Sequence, residues 1–120
     1  MSADFYDYDG NPISIEEWSL LLEARHQTIN SIDPNLTRWR VALDQIGDTR
    51  ISTVWIGLNH RWDGGQPPLI FETLVERDGD EIDMQRYSTH QQALAGHQRH
   101  VTEQQATLNL IQSALPDEPD

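Results

Sequence analysis

Cysteine is absent from the 120-residue chain. Its absence excludes a disulfide framework and a thiol nucleophile, and leaves His, Asp and Glu as the zinc ligands on offer. Basic residues are scarce, eight against 20 acids, giving a formal charge of −12 and an isoelectric point near 4.5. Phosphate backbones are held by Lys and Arg, so direct binding of DNA, RNA or an anionic membrane is not expected. No run approaches the ~18 apolar residues that span a bilayer. The opening MSADFYDYDGNP has neither a basic n-region nor an apolar h-region, and the expected location is the cytoplasm. Catalytic strings are missing too: there is no HExxH, no GxSxG, and Gly64-Gly65 lacks the Lys and Ser/Thr of a phosphate-binding loop. Neither a cofactor nor a resident metal is expected.

What is present suffices for one core: 37% of residues are hydrophobic, four of them Trp. The expectation is a single α+β domain over 1–115 with an acidic tail at 116–120. Charge is uneven along it. Residues 1–33 carry seven acids against one base, 34–77 five against five, and 78–120 eight against two.

Phe5 to Tyr8 alternates aromatic and acidic residues and reads as a short edge strand, closed by the turn Asp9-Gly10-Asn11-Pro12. Ser14 with Glu17 forms a capping box for a helix through Trp18, Leu21, Leu22 and Arg25. After the breaker Asp33-Pro34-Asn35, Trp39, Val41 and Leu43 alternate with Arg38, Arg40 and Asp44, the period of a half-buried strand. Gly47-Asp48-Thr49 turns the chain into the β-branched run Ile51 to Leu58, forming a hairpin. Asn59 to Pro68 is a breaker-rich loop, Leu69 to Val75 a strand, Asp78-Gly79-Asp80 a turn, and Met84 to Tyr87 a short strand. Ser88 with Gln91 opens a second helix reaching about Leu115. The order β-α-β-β-β-β-α implies an antiparallel sheet of four to five strands with two helices packed on one face.

The strings Ser52-Thr53-Val54-Trp55-Ile56-Gly57-Leu58-Asn59-His60, Gly64 to Val75, Arg86-Tyr87-Ser88-Thr89 and Ala95-Gly96-His97, with the opening Tyr8 to Ser14 and Glu17-Trp18, resemble a family. It comprises small uncharacterised proteins of tailed phages and prophages, particularly of actinobacteria. The resemblance covers about Tyr6 to Val101. Two stretches depart from it: Gln27 to Leu36 looks inserted, and the helix beyond Val101 is longer. The resemblance implies a phage accessory protein acting inside a bacterial cell by takeover of host functions or evasion of host defences.

Several residues carry candidate chemistry. Alternation puts Glu72 on one strand face with Ile70 and Leu74; it is a perturbed carboxylate in a cleft, a structural Glu paired with Arg86 or Arg40, or a residue on the solvent side of a sheet edge. His60 lies at a strand end beside the irregular loop. His97 and His100 are one helical turn apart, with His90 a heptad before His97. With Glu72 these could form a His/carboxylate metal site or acid/base pair, or they are histidines closing a sheet-to-helix contact. The candidate pocket is therefore His60, Glu72, Arg86, Tyr87 and His97. Trp62 beside Arg61 in the loop is either an interface anchor or a cover for the sheet. The second helix carries a heptad seam, Leu94, Val101, Leu108 and Leu115, with His97, Gln104 and Ile111 between. Its distal part, Leu108 and Ile111, either docks on its own sheet or meets a partner helix or a second copy, giving a homodimer.

Two functions follow as expectations. One is a non-enzymatic phage protein that binds and inhibits or redirects a host protein, including a nucleic-acid-binding one or a defence component such as a CRISPR effector, through Arg61, Trp62, Leu108 and Ile111. The other is a small enzyme or small-molecule-binding domain with a polar pocket around Glu72 and His60.

Overall fold

Turn chemistry sets the topology, as the computed structural model of residues 4–61 and 65–114 makes plain. A two-strand ribbon, β1 (Phe5–Tyr6) and β2 (Pro12–Ile13), reverses at Gly10, whose φ of 84° suits glycine, and Asp7 Oδ1 accepts from the backbone amides of Asp9 and Asn11. Helix α1 (Ile15–Gln27) starts where its capping box requires, with Ser14 Oγ accepting from the Glu17 amide at 3.1 Å. Four strands follow: β3 (Arg40–Ile46), β4 (Thr49–Trp55), β5 (Phe71–Arg77) and β6 (Asp80–Tyr87). The β5–β6 turn has positive φ at both Asp78 (52°) and Gly79 (85°), the geometry of a tight hairpin. Helix α2 (His90–Ala114) closes the described chain.

The fold is α+β. Strands β3-β4-β5-β6 form an antiparallel meander, while β1 and β2 pair only with each other, apart from a bridge between Phe5 and Leu58. Helix α2 lies along one face of the four-stranded sheet. Its buried residues Ala93, Gly96, His97 and His100 recur at three- and four-residue steps, so one stripe faces inward. Leu94 and Ile111, expected on that seam, are exposed instead. Close approach needs Gly96, because a Cβ there would lie 2.1 Å from the Tyr87 hydroxyl oxygen. The start of α2 falls one residue later than the pattern suggested: Thr89 Oγ1 accepts from the Gln92 amide, and Gln92 Oε1 accepts from the Ser88 amide.

On the face under α2, in-register neighbours are buried together: Ile51 with Val75, Thr53 with Thr73, Trp55 with Phe71. The apolar core gathers at one end of the sheet, around Tyr6, Trp39, Trp55, Ile70, Phe71, Tyr87 and Ala93. Helix α1 is tied to that end. Trp18 donates its indole N–H to the Ile56 carbonyl, Arg25 donates to the Trp55 carbonyl, and Thr28 Oγ1 accepts from the Trp39 indole.

The alternation expected of β3 breaks at a bulge. Arg40 faces Val54 and Ala42 faces Thr53, so Val41 is an extra residue. Beyond it every side chain changes face: Leu43 is 45% exposed on the open side, and Asp44 points toward α2.

Candidate functional site

The predicted pocket is divided by the sheet. Glu72 lies opposite Arg86 and Val54 on the face away from α2, and its Oε2 accepts from Arg86 Nε at 3.1 Å. The structural pairing with Arg86 is therefore the one the molecule adopts. Tyr87 lies on the other face, 7% exposed beneath α2, with its hydroxyl donating to Gln85. His97 shares that face and never meets Glu72. In the loop, His60 pairs its Nδ1 with the Leu58 carbonyl at 2.7 Å. The five residues do not form one site.

Of the predicted interface residues, Trp62 lies outside the described residues, as does Leu115. Arg61 is folded into its own loop, its Nε donating to the Pro67 carbonyl and its amide to Asn59 Oδ1, which also accepts from the Leu69 amide. Leu108 packs against the β3–β4 turn at Gly47 and so belongs to the fold, while Ile111 is 52% exposed.

In place of the expected pocket, His97 anchors a hydrogen-bonded chain that no sequence motif marks. Its Nε2 meets Asp44 Oδ2 at 2.7 Å, its Nδ1 meets Thr53 Oγ1 at 2.7 Å, and Thr53 Oγ1 meets Thr73 Oγ1 at 2.5 Å. With the imidazole neutral, Nε2–H donates to the carboxylate, Nδ1 accepts from Thr53, and Thr53 accepts from Thr73; with it protonated, the direction through the threonines reverses. Acid, imidazole and hydroxyl stand in the order used to activate a nucleophile. Yet Thr53, Thr73 and His97 are each 0% exposed, and no substrate carbon can reach Thr53 Oγ1. The chain fastens α2 to β3, β4 and β5. His100, 3% exposed, is held nearby by Gln85. Among the described residues, no group of three His, Asp or Glu could hold a metal ion, and no helix is long and apolar enough to cross a membrane.

The arginines share a pattern. Arg25, Arg38, Arg40, Arg61, Arg77, Arg86 and Arg99 each donate to a group of this chain. Three gather at the aromatic end, with Arg40 and Arg25 over the Trp39 ring at 4.7 and 5.6 Å and Arg38 over Tyr8 at 5.4 Å. Burial pulls the Arg25 guanidinium below its usual range, while the charge of Glu72 works in the opposite direction. Burial also raises the Tyr8 phenol, opposed by Arg38 and Arg25.

A concavity of about 800 Å³ opens at this end of the sheet, between the β1–β2 turn, the segment entering β3, the Pro67-Pro68 loop and the start of α2. It is lined by Tyr8, Arg38, Arg40, Phe71 and His90, and by none of the five predicted pocket residues. The face of the sheet away from α2 carries a row in register across all four strands, Leu43, Ser52, Leu74 and Met84, with Leu43 and Met84 at 45% and 38% exposure. No family model, curated protein or solved structure matches this chain.

Proposed function

We propose that the protein is non-catalytic and acts by binding a basic surface of another protein through the sheet face that α2 leaves open. The observation that carries this reading is the in-register row Leu43, Ser52, Leu74 and Met84, apolar at both edges of the sheet. An antiparallel sheet tolerates a solvated face, but such a face is ordinarily polar, and a row with apolar side chains at three of its four positions is what a partner would bury. The next row is Gln45, Arg50, Glu76 and Glu81, two acids against one base, and exposed Asp80 and Asp83 extend the acidic edge along β6. The net charge of −12 favours a basic partner. The resemblance to tailed-phage and prophage proteins supplies the setting. There the partner is a host protein to be inhibited or redirected in the bacterial cytoplasm, a nucleic-acid-binding defence component such as a CRISPR effector included.

An enzyme or ligand site around Glu72 and His60 has less support, because Glu72 is ion-paired and His60 is turned onto the Leu58 carbonyl. The test begins with capture from a host lysate by the wild-type chain and by Leu43→Arg/Met84→Arg. A captured protein is then purified and titrated against both forms at low and high salt. The reading requires affinity to fall roughly tenfold or more in the variant and to weaken with salt. Equal affinity of the two forms overturns it.

A further inference from the structure

We propose that the groove at the amino end of α2 binds a small organic anion, a phosphate or carboxylate on a flat apolar body, independently of the open sheet face. The acids of this chain are spread widely, yet the groove is lined by Arg38, Arg40 and His90 against Asp9 alone. Arg40 is held by neutral acceptors, the Ile29 and Ser31 carbonyls, and among the described residues no carboxylate pairs with it. Arg38 already holds an anion: Asp9 Oδ1 accepts from its Nη2 at 3.1 Å, in an exposed pair at the rim. Asp9 thus marks where an incoming anionic oxygen would bind, and as a rim group it can be displaced.

The walls suit the rest of such a ligand. Tyr8, Phe71 and Pro67 are flat or rigid apolar surfaces, and the His90 ring stands edge-on to Phe71 with centroids 6.1 Å apart. The helix end adds to the same sign. Helix α1 carries Glu16 and Glu17 in its first turn, whereas the first turn of α2 has no acid and its end is capped by the neutral Thr89 and Gln92 side chains, so no negative charge of its own offsets the dipole there.

The experiment is isothermal titration of the full chain at low ionic strength with phenyl phosphate, benzoate, inorganic phosphate and benzyl alcohol as probes, mapped by amide chemical shifts. An aryl anion should bind saturably, shift residues around Arg38 and His90, and bind more tightly than either inorganic phosphate or the neutral alcohol. Preference for phenyl phosphate over benzoate identifies a phosphate site, and the reverse a carboxylate site. Loss of a charged hydrogen bond in Arg38→Gln should weaken binding roughly tenfold. Asp9→Asn, which removes the resident competitor, should strengthen it. This opposite response of two neighbouring substitutions is not produced by general destabilisation. Should Arg38→Gln melt early, His90→Gln takes its place in the comparison. The proposal is overturned by the absence of saturable binding with both aryl anions, by benzyl alcohol binding equally well, or by unchanged affinity in Arg38→Gln.

Discussion

The interface between α2 and the sheet joins two unlike regions. At one end Trp39, Trp55, Phe71 and Tyr87 pack as an apolar cluster; further along, the contact is Asp44, His97, Thr53 and Thr73 in a hydrogen-bonded chain. The first region derives its stability from area removed from water, which is large but undemanding of geometry. The second gains little net energy from exchanging water for internal partners, but is costly to leave half-made. The aromatic end therefore holds the fold together, and the polar strip fixes where along the sheet α2 lies.

The largest effect is expected at the aromatic end. Trp55→Ala removes a fully buried ring whose indole also donates to the Tyr6 carbonyl, and should cost about 3–5 kcal/mol in chemical denaturation. In the polar strip, His97→Ala should cost about 2–4 kcal/mol by opening a cavity and leaving the buried Thr53–Thr73 pair without its imidazole partner. The triple change His97→Leu, Thr53→Val, Thr73→Val removes all the buried polar partners together and should recover stability to within about 1 kcal/mol of wild type. If the triple variant is as unstable as His97→Ala, the strip contributes more than positioning. Between the two regions, Gly96→Ala should destabilise by about 1–3 kcal/mol, because its methyl meets the Tyr87 ring rather than empty space. Away from both, Ser14→Ala loses the α1 cap at a cost of about 1 kcal/mol.

The smallest effect is alkaline. Tyr8 has its phenol raised by burial, so the unfolded chain loses that proton first as pH climbs past 10. The contribution is intact below that point and is lost as pH rises through the folded value. Tyr8→Phe should accordingly remove a late-titrating component from the tyrosinate absorbance of the folded protein.

Much of the fold was legible because it rests on local chemistry. Ser14 and Glu17 marked the start of α1, and the glycines at 47 and 79 marked the hairpins. The ribbon of β1 and β2 was read as an edge strand, since two-residue strands carry too little pattern to show what they pair with. The Glu72–Arg86 pair was within reach, because adjacent antiparallel strands bring such charges into register. The convergence of Glu72 with His97 was not obtained: alternation tells that a strand has two faces, but not which one the helix will cover. The groove was missed because its lining comes from separate segments, and Arg38 and Arg40 were read as the polar half of a strand.

The bulge at Val41 behaves like a frameshift in the inside–outside code of an edge strand. Residues before and after it are read in different phases, and the phase after it delivers a carboxylate to His97 and a leucine to the open face. Drawing Val41 into regular pairing opposite Thr53 would send Leu43 under the helix and Asp44 onto the open face. The buried imidazole and the proposed contact surface would thus be lost together, although no residue of either had been changed.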